Sequence, residues 1–338
     1  MINGEEKGYI FKVFADSVTI KGFTLKNVGR SFTKDYAAIY ISKSKYFTLE
    51  NLLIQNVFFG LLIEKSKFGT IKNNHIFSNA KVEASSGNGI HLWHSSNVLI
   101  EKNEVHNLRD GIYFEFVTES KVIQNNSYNN LRYGLHFMFS NDDEYHDNRF
   151  SNNGSGVAVM FSKNIKMSNN KFSKNWGSAS YGLLLKEIYD AEITSNTFEE
   201  NTIGIKIEGS TRMNYKFNNF IRNGWAIKIA GACYSNIFNK NNFLHNSFDI
   251  SYNSKLNDNN FNNNYWSDYT GYDLDKDVIG DVPYRPVKLF SYIVNKTPET
   301  VILLRSLFVD IINFSEKVSP AFTPDNLLDN NPLMMANK

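Results

Sequence analysis

Arg132-Tyr133-Gly134-Leu135-His136-Phe137-Met138-Phe139-Ser140 alternates after its glycine, with Leu135, Phe137 and Phe139 on one side and His136, Met138 and Ser140 on the other. A two-residue period is that of a half-buried β-strand. The unit recurs as Gly89-Ile90-His91-Leu92-Trp93-His94, Gly111-Ile112-Tyr113-Phe114-Glu115, Gly156-Val157-Ala158-Val159-Met160 and Gly182-Leu183-Leu184-Leu185-Lys186. In each, the aliphatic and Phe side chains are expected to point inward.

Outward from this stretch the repeat is regular. An Asn followed two residues on by an aromatic or aliphatic side chain appears at Asn51, Asn74, Asn103, Asn126, Asn148, Asn170, Asn196, Asn218 and Asn241, with final spacings of 22, 22, 26, 22 and 23 residues. A second Asn often follows five later, at Asn79, Asn153, Asn175, Asn201, Asn223 and Asn246. Short strands, Asn-rich turns and only six prolines do not fit helical arrays, which need long segments of 3.6 period. They fit an all-β parallel β-helix, in which each turn is a rung and equivalent positions stack about 4.8 Å apart. Lys81 to Ser86 and Trp176 to Ser180 read as loops on one side of the stack.

Composition sets limits. With 338 residues, 42% of them hydrophobic, the chain can bury a large core. Lys plus Arg number 36 against 34 Asp plus Glu, so no global field draws in nucleic acid or an anionic membrane. The single cysteine, Cys233, excludes an internal disulfide framework and reads as a small buried residue. Met1 to Gly8 shows no basic start followed by an apolar run, while residues 9 to 28 already alternate as strands. The expectation is a start upstream that this chain lacks.

Stacking turns the outward positions into a surface that can be read. Two residues after each strand glycine come His91, Tyr113, His136, Ala158, Leu184 and Lys206; four after come Trp93, Glu115, Met138, Met160, Lys186 and Glu208. A solvated sheet face carries Lys, Thr, Ser and Glu, so this cluster of His, Met and Trp asks for a reason. One reading is lateral packing under a loop. The other is a soft metal site: thioether and imidazole together favour Cu(I), with His136, Met138 and Met160 as its ligands. His91 and His94 would form a second stop or complete the first. Glu115 is a carboxylate to which an imidazole N–H could donate. Arg109 and Arg132 precede successive strand glycines and would edge the same face, or pair with Asp110 at a corner. Asn141-Asp142-Asp143-Glu144 groups acids at a turn, where Asp and Asn collect anyway.

Past Asn264 the repeat stops at Tyr265-Trp266-Ser267-Asp268-Tyr269-Thr270-Gly271-Tyr272-Asp273-Leu274-Asp275-Lys276-Asp277-Val278-Ile279-Gly280-Asp281-Val282-Pro283-Tyr284-Arg285-Pro286. Together with Arg109 to Phe116, Arg132 to Asn141 and Tyr181 to Glu187, this segment resembles the NosD family of periplasmic copper-binding proteins, over nearly the whole chain. The resemblance implies a right-handed β-helix that is the extracytoplasmic part of an ABC-transporter complex with permease and ATPase subunits. It implies delivery of copper, received from a copper chaperone, to apo nitrous-oxide reductase, and no catalysis. Asp273, Asp275, Asp277 and Asp281 alternate like a calcium loop, although Val278 stands where the family usually has Gly.

Three segments are therefore expected: β-helix repeats over 1–264, an aromatic and acidic cap over 265–296, and an amphipathic helix with an extended tail over 297–338. In the last, Val301, Leu304, Leu307, Phe308, Ile311 and Phe314 recur at helical spacing from Pro298 to about Glu316. The competing function class is a polysaccharide lyase, hydrolase or epimerase, which would need carboxylates on the outer face.

Overall fold

Each turn of the chain lays down three short strands, and equivalent strands of successive turns hydrogen-bond in parallel. The computed structural model describes residues 1–31, 33–253, 258–319 and 327–337. Three parallel sheets run the length of a right-handed β-helix. The first has 12 strands, from Ile2–Asn3 to Tyr265–Trp266; the second has 11, from Phe11–Val13 to Phe248–Tyr252; the third has 11, from Thr19–Lys21 to Asn260–Asn262.

The strand Tyr133–Met138 lies in the second sheet, with Leu135 opposite Ile112 on one side and Val157 on the other. Leu135, Phe137, Val157, Val159, Leu183 and Leu185 are fully buried in the interior, as the alternation requires. The alternation ends at Met138. Phe139 takes a left-handed conformation, φ 51°, which turns its ring out to 38% exposure and sends Ser140 inward instead. A side chain at Gly134 is excluded by close approach: a Cβ there would lie 2.8 Å from both the Gly156 carbonyl oxygen and Asn153 Nδ2.

Asparagines hold the corners. Asn74, Asn103, Asn125, Asn148, Asn170, Asn196, Asn218, Asn241 and Asn264 form a buried ladder in which each Nδ2 donates to the next Oδ1 at 2.9–3.1 Å. Each Oδ1 also accepts the backbone N–H of the preceding ladder residue, as at Asn148 N to Asn170 Oδ1, 3.0 Å. A second ladder runs from Asn130 through Asn153, Asn175, Asn201 and Asn223 to Asn246. The ladder residue follows a corner residue of positive φ. This places Asn125, after Gln124 at φ 55°, in the first ladder rather than Asn126, and leaves Asn51, itself a corner at φ 53°, outside it. Asn79 is likewise exposed, outside the second ladder.

Inside, Phe150, Phe172, Phe198, Phe220, Phe243 and Trp266 stack face to face, the last pair with centroids 4.0 Å apart. At the end of the stack Asp329 replaces the next asparagine. Its Oδ2 accepts from Asn264 N, Asn264 Nδ2 and Trp266 Nε1, each at 3.0 Å. Phe261 bridges to Asp329 and Tyr265 to Leu333, both parallel, so residues 327–333 lie across the final rung.

The expected single helix from Pro298 is two pieces, a 3-10 turn (Pro298–Leu303) and α2 (Leu307–Val318), and a further helix, α1 (Leu289–Lys296), lies before it in the segment expected as the cap. Ser306 restarts the helix as N-cap, its side chain accepting from Val309 N. The sequence period ran across this break because Leu304 and Leu307–Phe308 happen to keep a spacing of three and four. Phe290, Val294 and Val309 pack on Trp225 and Phe248 of the second sheet's outer face. Leu307, Phe308, Ile311 and Phe314 stay exposed, at 55–74%.

Asn170→Ala should leave the Asn148 N–H without its acceptor in the interior, and take one bond each from the Asn148 side-chain amide and the Tyr145 carbonyl. At about 1–3 kcal/mol for a buried unsatisfied group, the expected loss in urea unfolding is about 2–4 kcal/mol. Lys166→Ala on the outer face should cost less than about 1 kcal/mol.

Candidate metal centre

Parallel pairing stacks like positions of the second sheet's outer face. One column runs His91, Tyr113, His136, Ala158, Leu184, and beside it runs Trp93, Glu115, Met138, Met160, Lys186. Met138 and Met160 are register partners on adjacent rungs, about 4.8 Å apart, and His136 lies two residues before Met138 on the same face. Met160 rests on the apolar patch of Ala158, Tyr181 and Leu184 that continues down to α1 and α2. Tyr181 brings the 176–180 loop over this edge, its hydroxyl donating to Tyr133 Oη at 3.3 Å.

His136 is enclosed. Tyr113 meets it edge-on at 4.8 Å, Tyr133 leans on it at 4.8 Å, and only 6% of the residue is exposed. Neither ring nitrogen has a hydrogen-bond partner among the described residues. Asp110 Oδ2 is 4.0 Å from Nδ1, too far to bond, because the carboxylate is taken by the Arg132 guanidinium in a two-pronged pair. Burial pushes the His136 imidazole down to about 4 against the opposing pull of Asp110, so it is neutral at pH 7. Tyr113 is pushed up to about 12 by burial and by Glu115, stays protonated, and its O–H donates to Met138 Sδ at 3.8 Å. A neutral imidazole with unused lone pair, beside two thioethers, is a donor set for a soft cation.

The other expected ligands are placed differently. His91 is in the same column, but Tyr113 stands between it and His136, ring centroids 4.6 Å from His91. The two imidazoles are two rungs apart, roughly 10 Å, so one ion does not bridge them. His91 is half-buried and held down to about 3, first by desolvation of the ring and then by Arg109; its enclosed Nε2 has no partner among the described residues, and Asn88 lies 3.4 Å from Nδ1. His94 belongs to neither: at φ 48° it turns the corner and heads a stack with Phe116, Phe139 and Phe161. Glu115 lies in the Trp93–Met138 column, and the carboxylate nearest His136 is Asp110. Arg132 serves Asp110, the corner pairing foreseen as the alternative reading. Asp110 reads in the sequence as a partner of the arginines alone, and only the three-dimensional corner brings it near the imidazole.

In the acidic loop, Asp273, Asp275 and Asp277 offer oxygens within 4.8 Å of one another, while Asp281 caps Leu274 N instead. Asp273 accepts from Lys276 N, Asp277 N and Val278 N, and Val278 takes the turn itself at φ 74°. A cavity of about 980 Å³ lies elsewhere, between this end of the stack and the helices, lined by Asp268, Tyr272, Arg285 and Val309 among others.

Residues 78–271, which carry this face, match the family model described as periplasmic copper-binding protein (NosD). The chain belongs to the NosD family. A right-handed β-helix model matches residues 10–142 as well. The NosD-family chain is 26% identical to the probable ABC transporter binding protein NosD of Pseudomonas aeruginosa, over 98% of this chain and 81% of that one. It is also 26% identical to the protein so named in Stutzerimonas stutzeri, over 99% and 80%. Among solved structures the surface adhesin PfbA of Streptococcus pneumoniae superposes with a TM-score of 0.56 at 15% identity, covering 72% of each chain, a likeness of fold alone. No described helix is long and apolar enough to cross a membrane.

The depressed His136 value gives a pH test. A folded value below the ordinary 6.5 means stability that is full above pH 6.5 and is lost as pH falls towards and through about 4. Urea midpoints should fall over that window, and His136→Phe, which cannot protonate, should flatten the fall.

Proposed function

We propose that this NosD-family protein is the periplasmic copper-handling component of an ABC-transporter complex that supports copper-site assembly in nitrous-oxide reductase. The observation that carries the reading is the buried, neutral imidazole of His136, both nitrogens unpartnered, beside the Met138–Met160 pair. Cu(I) is cargo here. Two thioethers and one imidazole suit it by softness, and a low coordination number leaves it transferable to the apo-reductase or from a copper chaperone. The family description supports copper, and the names of the Pseudomonas and Stutzerimonas relatives support a transporter partner. Sugar chemistry needs two carboxylates flanking the scissile bond. On the central rungs Glu115 stands between Trp93 and Met138, and Asp110 is engaged by Arg132.

His136→Ala combined with Met138→Ala should weaken Cu(I) binding at least about tenfold, measured by competition against a chromophoric Cu(I) chelator, with the circular dichroism spectrum unchanged. Equal affinity in the double variant overturns this ligand set. The exposed row on α2 is assigned to the permease side of the complex, since apolar area left uncovered beside a docked face marks a partner surface. Replacing Phe308, Ile311 and Phe314 together by Ser should leave the thermal midpoint of the isolated protein within a few degrees while abolishing co-purification with the transporter subunits. A large loss of midpoint would instead mean that the row packs within the molecule.

A further inference from the structure

The first sheet, on another side of the stack, holds a cluster of donors that the copper reading does not use. His75 lies in strand His75–Phe77 and Glu104 and His106 in strand Glu104–His106, paired so that His75 faces Glu104 and Phe77 faces His106. Ile76 and Val105 between them are fully buried, so the flanking side chains share the outer face. His75 Nε2 and His106 Nε2 are 3.0 Å apart, and each of the three residues offers a donor atom within 4.8 Å of the others.

The neighbours fix these donors. The His106 ring is stacked between Phe77, centroids 5.1 Å at 0°, and Tyr128, 4.7 Å at 16°. His75 leans on Phe77 at 4.9 Å. Tyr128 Oη donates to Glu104 Oε1 at 2.6 Å and so aims the carboxylate. Two imidazoles whose Nε2 atoms converge, beside a carboxylate aimed by a hydroxyl, are organised towards a common point. Ligand nitrogens around a tetrahedral ion bound at ~2.0–2.1 Å lie about 3.3 Å apart, close to the separation observed.

We infer that His75, Glu104 and His106 form a second metal site, selective for a borderline divalent cation of the Zn(II) and Cu(II) class. The donors are nitrogen and oxygen with no sulfur, the opposite softness from the His136–Met138–Met160 set. Three protein ligands leave a position open to water or to a donor from another molecule. The inference is independent of the copper reading, because no residue is shared and the two faces belong to different sheets.

The test uses the full chain and Zn(II) and Cu(II) chlorides in separate titrations, followed by calorimetry and by competition with a chromophoric chelator. The wild type should bind one equivalent of at least one of these ions at micromolar affinity or tighter. His75→Gln with His106→Gln should abolish that equivalent, and Glu104→Gln should weaken it at least about tenfold. His136→Ala with Met138→Ala should leave it in place. If the double glutamine variant does not fold, Glu104→Gln decides alone. No binding by the wild type, or full binding by the folded variants, overturns the site and leaves the His75–His106 contact as a hydrogen bond between two imidazoles.

Discussion

The amide-to-amide hydrogen bond between stacked asparagines is the contact on which the rest of the molecule depends. A parallel strand pair on its own has nothing to stop it slipping by one residue, and one slip would exchange inside for outside. Each ladder Asn ties its corner to the corner of the rung before through Oδ1, and through Nδ2 to the next corner and to the strand of the rung before, as Asn170 does with Asn148, Asn196 and Tyr145. Corner residues beside the ladder, such as Gln124 and Asp147, are held at positive φ, which for non-glycine residues costs roughly 1–2 kcal/mol each. Buried amide bonds with every partner satisfied offset that strain.

Fixed register has a chemical result. Donor groups on the outer face can be placed only at multiples of the rung spacing along one column, or in the column next to it. Met138 and Met160 meet because they are one rung apart in one column, and His136 joins them from the neighbouring column. His91 is kept from them by Tyr113. The same rule builds the first-sheet cluster from His75 and Glu104, which are register partners, and His106, which follows by two. Burying His136 with both nitrogens unpartnered costs stability, and a fold without use for that lone pair has simpler residues available at a column position where Ala158 and Leu184 also fit.

The β-helix, its inward residues and the His–Met column were legible in the sequence because they repeat: a period of two within strands and of about 22 between them leaves little freedom. What did not repeat was harder to read. Phe139 continued the alternation on paper, yet its backbone turns the corner and points the ring out. Asn125 and Asn126 are adjacent, and only the left-handed Gln124 decides which of them enters the ladder. Asp110 was visible as an Arg neighbour, but its approach to His136 depends on a corner crossing between rungs. His75, Glu104 and His106 are harder to read because no strand glycine marks them, although His-x-Phe and Glu-x-His in consecutive rungs of the first sheet carry the same alternation as the second. The helix near Pro298 was read as one because side-chain spacing does not register an N-cap serine in mid-run.

A stack of parallel rungs ends in a row of unpaired N–H and C=O groups, and such a row accepts another molecule's strand as readily as it accepted its own last turn. Here the chain returns after α2 to lay Asp329 and Leu333 over the terminal rung, so the charged group that completes the asparagine ladder is also its stop. Growth by head-to-tail addition is closed at that end by a segment of the same polypeptide.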